Sequence, residues 1–247
     1  MRRCVIVNAD DLGLSPEINE GVLSGLKQGI ISDTSVLIKA PHIQHALAGL
    51  RQMHFAACGI HLNLDMQLGW SSPGREQFSR IELLSLLESG SLAEQLRIEA
   101  RSQIETFLSC GLLPTHLDTH HHVHGFLPVF NLLIDLMQEY RIPAMRFNPG
   151  GYSLLTRQDI TLSDETGTLM EETLRNQGIL HCREMIEGAD KIRDLRSELA
   201  ELVVHPSLGG EHWRSREYDF LASPDFSAAL KDGGIELVSF SDLLEEI

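Results

Sequence analysis

Positive charge is scarce in this 247-residue chain: 20 Lys and Arg stand against 35 Asp and Glu, a formal net charge of −15. A surface so acidic excludes nucleic acid as the main partner, because phosphate binding needs a positive face. Cysteine is also sparse. Cys4, Cys58, Cys110 and Cys182 lie far apart and form no CxxC pair. That removes both a zinc-thiolate site and a disulfide framework and leaves buried, reduced thiols as the expectation. No stretch approaches the roughly 20 apolar residues of a membrane span. The apolar run after Met1 is too short for a secretion signal and ends in two acids, so a cytoplasmic protein without a membrane partner is expected. Internal repeats, low-complexity tracts and Pro/Ser-rich linkers are absent as well, which favours a single domain over 1–247.

What the chain does have is alternation. Short β-rich runs occur at Cys4–Asn8, Thr34–Ile38, Ala56–Leu62, Thr115–Asp118, Ala144–Phe147, Gly178–His181, Glu201–His205 and Glu236–Phe240. Helical stretches separate several of them. One opens at Ser15-Pro16-Glu17 and stops at Gly29, with a capping residue, an early proline and a terminal glycine in the expected places. Two more cover Leu92–Ser109 and Leu127–Glu139. Strands alternating with helices imply parallel pairing through βαβ crossovers, and eight such units allow an α/β fold of (β/α)-barrel type. Gln67–Gln77 and Asn148–Ser163 lack periodicity and are expected as loops near the substrate.

Polar clusters fall at the C-terminal ends of these strands: Asp10-Asp11, His61, the run His116 to His124, and His205 before Pro206. In parallel α/β folds those ends converge on one face, where sites form. Five of the 12 histidines lie between His116 and His124, and so many imidazoles are hard to pack for structural reasons alone. A metal or acid–base site explains them better. Two imidazoles and one carboxylate would leave positions open for water and substrate, as in a catalytic rather than a closed structural site. On an extended segment His116, Asp118 and His120 share a face while His121 points away. Asp118 is expected to orient an imidazole rather than bind an ion. His116, His122 and Arg146 are further candidates for supporting the site or touching substrate.

The segments Val7-Asn8-Ala9-Asp10-Asp11-Leu12-Gly13, Gly59-Ile60-His61-Leu62-Asn63-Leu64 and Pro114-Thr115-His116-Leu117-Asp118-Thr119-His120-His121-His122-Val123-His124 resemble, in order and spacing, those of the YdjC-like carbohydrate deacetylases. Val204-His205-Pro206 and the later Arg216-Glu217-Tyr218 look like that family's C-terminal motifs. The resemblance implies a (β/α)-barrel-like fold, related to that of polysaccharide deacetylases, and a divalent metal, Mg²⁺ in the family, with Zn²⁺ or Co²⁺ also chemically suitable. It implies Asp11, His61 and His120 as ligands, Asp10 as general base and His205 as general acid. The implied reaction is hydrolysis of an N-acetyl group on an amino sugar or short oligosaccharide, by a protein that forms a homodimer. The chain departs from the family pattern between Asn148 and Glu198, where the usual glycine- and aromatic-containing segment is not recognisable. Two other readings fit the residues themselves: a metal-dependent hydrolase of another bond, such as an amidohydrolase or phosphoesterase, and a non-catalytic sugar-binding protein.

Overall fold

The structure is a computed structural model that describes residues 3–65, 93–152 and 160–246. The expected loop Gln67–Gln77 and residues 153–159 of the second expected loop lie outside them. The strands are β1 (Arg3–Leu12), β2 (Asp33–Val36), β3 (Ala57–Leu62), β4 (Leu113–Thr119), β5 (Gly151–Tyr152), β6 (Ile160–Thr161), β7 (Glu184–Glu187), β8 (Leu199–Val204) and β9 (Ile235–Leu237). β5 and β6 form a small antiparallel hairpin. The others make one parallel sheet in the order β4-β3-β2-β1-β8-β7, with β9 beside β1.

β1 is the spine because its apolar run Val5-Ile6-Val7 is fully buried, as a parallel strand covered on both faces must be. β2 joins it only from Asn8 onward, and β9 pairs with its first part, from Arg3 to Val5. β8 runs along the other side from Cys4 to Ala9. The helix Pro16–Gln28 returns the chain to the sheet. Ser15 accepts its Ile18 N–H, and Gly29 closes it at φ 71, a conformation that glycine adopts without steric cost. Helices Ile43–Gln52, Ala93–Ser109 and Leu127–Tyr140 bury Leu47, Ile104, Phe107 and Leu133 in one continuous apolar core with the strand residues Val7, Ile60 and Leu117.

Two expected strands are reduced to single bridges. Met145 pairs with Leu117 of β4, and Ala144 with Leu180, both in parallel. Pro143 has no N–H to give, and the Asn148–Gly151 turn begins soon after, so little backbone is left to pair. The bridges nevertheless carry the sheet around beyond β4, which is the barrel-like feature of the fold. The last expected strand is shorter than the sequence implied. Ser239 caps a helix over Phe240–Glu245 through a reciprocal pair of hydrogen bonds with Asp242, and this removes Phe240 from the strand.

Candidate active site

The C-terminal ends of β1, β3, β4, β7 and β8 meet at one place. β1 does not finish as a regular strand. Its register with β2 shifts between Ala9 and Leu12, and Asp11 sits at φ 68. In a regular strand the carboxylates of Asp10 and Asp11 would point to opposite sides. The left-handed residue turns both toward His61, whose Nε2 lies 3.9 Å from Asp10 Oδ2 and 3.5 Å from Asp11 Oδ1.

Asp11, His61 and His120 form a compact group. Asp11 Oδ1 is 3.0 Å from His120 Nδ1, and His61 Nε2 is 3.3 Å from the same nitrogen. Asp11 Oδ1 is buried yet has no hydrogen-bond partner, so a buried anionic oxygen and two imidazole nitrogens converge where a cation fits. The second oxygen, Oδ2, accepts from Arg214 Nη2 at 2.6 Å. A second group, Asp10, His61 and Asp118, has similar spacing but is already neutralised. Arg146 grips Asp10 with two hydrogen bonds of 2.7 Å and reaches Asp118 at 2.8 Å. Each group thus has an arginine, but only Asp11 keeps a carboxylate oxygen without a hydrogen bond, so the Asp11 group is the one that suits an ion.

Asp118 accepts from His61 Nδ1 at 2.6 Å and from Ser35 Oγ at 2.7 Å. Burial pulls the His61 pKa down, but the carboxylates of Asp118 and Asp10 outweigh it and raise the value to about 10. Burial likewise opposes ionisation of Asp118, while Arg146 and His61 hold it well below the ordinary carboxylate range. His116 lies beneath this layer. It is buried, its ring stacks on Phe240 at 4.0 Å and its Nε2 meets Ser35 Oγ at 3.0 Å. Burial lowers its pKa to about 4, so it is neutral. Gly59 makes its position possible, since a Cβ there would stand 2.2 Å from His116 Nε2.

The run after β4 is not extended. Residues His120–Gly125 form a 3-10 turn with positive φ at His121 and His122. His121 consequently does not point away. Its ring lies against that of His120, with centroids 3.9 Å apart. His122 is turned out of the group and stacks on Tyr152 at 5.1 Å.

His205 follows β8. Its backbone N–H is held by Glu217, and its Nε2 faces Glu187 at 3.7 Å and Asp10 at 4.0 Å. Beside it opens a cleft of about 650 Å³, walled by Glu187, Lys191, Trp213, Arg216 and Phe220. Among the described residues the Asp11 group does not line this cleft, and Asp10 connects the two through its contacts with His61 and His205. Several contributors escaped the sequence reading. Glu201 accepts from Arg146 Nε at 2.8 Å, and burial raises its pKa to about 7. A charged residue inside the buried run Leu199–Val204 was the available signal. Asn8 donates to Asp10 at 2.8 Å. Arg214 carries no local signal at all, since its partner Asp11 lies 203 residues away in sequence.

The family of YdjC-like proteins matches residues 4–232. The chain belongs to the YdjC-like family. A carbohydrate deacetylase of Clostridium beijerinckii is 28% identical, with 97% of this chain and 99% of that one aligned. A chitooligosaccharide deacetylase of Enterobacter sp. strain 638 is 27% identical over 98% of this chain and 100% of the other. A crystal structure from Enterococcus faecalis, described as that of a proposed cellobiose-phosphate cleavage protein, superposes with a TM-score of 0.76 at 22% identity. It covers 98% of this chain and 99% of the other. That likeness establishes the fold this YdjC-like chain shares with it.

Proposed function

We propose that this YdjC-like chain is a carbohydrate N-deacetylase that hydrolyses the acetamide of an acetylated amino sugar, using a divalent ion held by Asp11, His61 and His120. The observation that carries the metal reading is the buried Oδ1 of Asp11, which accepts no hydrogen bond and faces two imidazole nitrogens at 3.0 and 3.5 Å. The names of the relatives carry the substrate class. When bound, the ion supplies Lewis acidity, polarising the acyl oxygen and acidifying water. The family resemblance implies Mg²⁺, while a pair of imidazoles also suits Zn²⁺ or Co²⁺.

The chain's own residues then divide the proton work. Asp10, fixed in orientation by Arg146 and Asn8, takes a proton from the attacking water as the oxygen bonds to the acyl carbon. The C–N bond breaks as His205 gives its proton to the leaving nitrogen, giving a free amine and acetic acid, which loses its remaining proton to solvent to leave acetate. Asp10 ends protonated and His205 deprotonated, and exchange with solvent resets them. Asp118 holds the His61 ring through Nδ1 so that Nε2 faces inward, the usual service of a carboxylate behind a ligating histidine. The reading extends to one domain and, from the resemblance, to a homodimer.

The test is acetate release from a panel of N-acetylated mono- and disaccharides by chelator-treated protein, with Mg²⁺, Zn²⁺ or Co²⁺ restored, beside phosphate release from phosphorylated sugars. Metal-restored acetate release is expected. Phosphate release alone, or binding without turnover, would overturn the proposal.

A further inference from the structure

His61 and His120 are held in different ways. The second nitrogen of His61 is fixed by Asp118. Among the described residues no carboxylate takes the second nitrogen of His120. Its ring instead lies against His121 at a centroid distance of 3.9 Å and an interplanar angle of 37°. His121 in turn bonds through Nδ1 to Asp65 Oδ2 at 2.8 Å. Asp65 is only 2% exposed, and it lies just beyond the end of β3, the strand that carries His61. Its segment is pinned from outside. Asn63 N–H donates to Gln103 Oε1 at 2.9 Å, and Gln103 Nε2 returns a bond to Asn63 O at 2.8 Å, from the helix Ala93–Ser109. A rigid support thus runs from that helix through Asp65 and His121 to the ring of His120.

The backbone bears a cost for this arrangement. His121 and His122 stand at φ 55 and 52, a left-handed conformation that residues other than glycine keep only where the surroundings impose it. The contact with the His120 ring and the Asp65 hydrogen bond help to hold His121 there.

We propose that Asp65 and His121 form a clamp that sets the ring orientation of His120 for metal binding. They are positioning residues, and neither touches the ion. The proposal rests on Asp11, His61 and His120 being the ligands. It predicts a ligand histidine steadied by a tilted ring contact backed by a carboxylate, where His61 uses a carboxylate directly.

The test is a titration of metal-free protein with Co²⁺, read by calorimetry and by the visible absorption of the bound ion, on wild type, Asp65→Asn, His121→Asn and the double variant. Asparagine tolerates the left-handed backbone, so His121→Asn removes the ring while leaving the turn available. Each single variant is expected to weaken Co²⁺ binding about 10-fold or more and to shift the absorption bands, in keeping with the loss of an outer supporting group. The double variant is expected to lose no more than the weaker single variant, because both act through one ring. If Asp65→Asn fails to fold, His121→Asn decides alone. Wild-type affinity and spectrum in the variants that fold, even with a lowered melting temperature, would overturn the clamp, as would losses that multiply in the double variant. Asp11→Asn separates the two readings. If it binds Co²⁺ as wild type does, the ligand assignment itself fails, whatever Asp65 does.

Discussion

With Arg146 removed, Asp10, Asp118 and Glu201 would be left in the interior without their shared cation. All are at most 1% exposed, and the guanidinium contacts each at 2.7 or 2.8 Å. Breaking a buried ion pair from one side costs about 3–5 kcal/mol. Arg146→Met should therefore lower the unfolding free energy of metal-free protein by about that much at pH 7, measured by urea titration. The loss should shrink as the pH falls and the carboxylates take up protons. A change below about 0.5 kcal/mol, as for an ordinary surface substitution, would contradict this. The candidate residues were legible in sequence because each stands at a strand end in an otherwise apolar run. Their partners were less so. Asp65 and Arg214 sit in segments with no periodic pattern and are recruited only by the fold.

Between elements, two contacts set the layer beneath the site. The first is the approach of β3 to β4 at Gly59, where His116 is held by Ser35, Thr115 and the ring of Phe240 and has no room to yield. Gly59→Ala should cost about 1–3 kcal/mol or more, as overpacking does, in urea unfolding. Stability within about 0.5 kcal/mol of wild type would show that His116 is not locked. The second contact is Asp33 at the start of β2, which accepts the Phe240 N–H at 2.9 Å and so ties the C-terminal helix to the sheet. Burial raises its pKa to about 7 despite hydrogen bonds from Phe240 and Thr34. An unfolded aspartate titrates near about 3.9, so the folded chain alone holds this proton between about 4 and 7. Wild type should lose stability relative to Asp33→Asn as the pH rises through that window, by at most about 1.4 kcal/mol per pH unit, and the difference should be constant above it. A gap independent of pH would contradict the assignment. At this scale the strands with long apolar runs were legible. Ala144–Phe147 and Gly178–His181 carry the same residue types, but a proline or a helix end beside them limits the backbone they can pair. The turn at His120–Gly125 was not legible, because consecutive left-handed histidines leave no mark in the hydrophobic pattern.

The whole molecule places the candidate site at one end of a parallel sheet packed on one large apolar cluster and two smaller ones among the described residues, and none of the described helices is long and apolar enough to cross a membrane. The general architecture and the face that bears the site were legible from the alternation of strands and helices. The division of labour between two adjacent acids followed only from the family resemblance and not from the strand pattern, since both carboxylates turn to one side at the irregular end of β1, where Asp11 departs from strand geometry. That division is the central claim: Asp11 holds the ion and Asp10 moves the proton. Metal content and acetate release measured together on Asp10→Asn and Asp11→Asn test it most directly. Asp11→Asn should lose the ion, because a neutral amide is a poor ligand for such cations. Asp10→Asn should keep about one ion per chain and lose on the order of 10²- to 10⁴-fold in turnover, the usual contribution of a general base. Equal loss of metal from both variants would contradict the account, because both carboxylates would then be ligands and Asp10 could not be the free base.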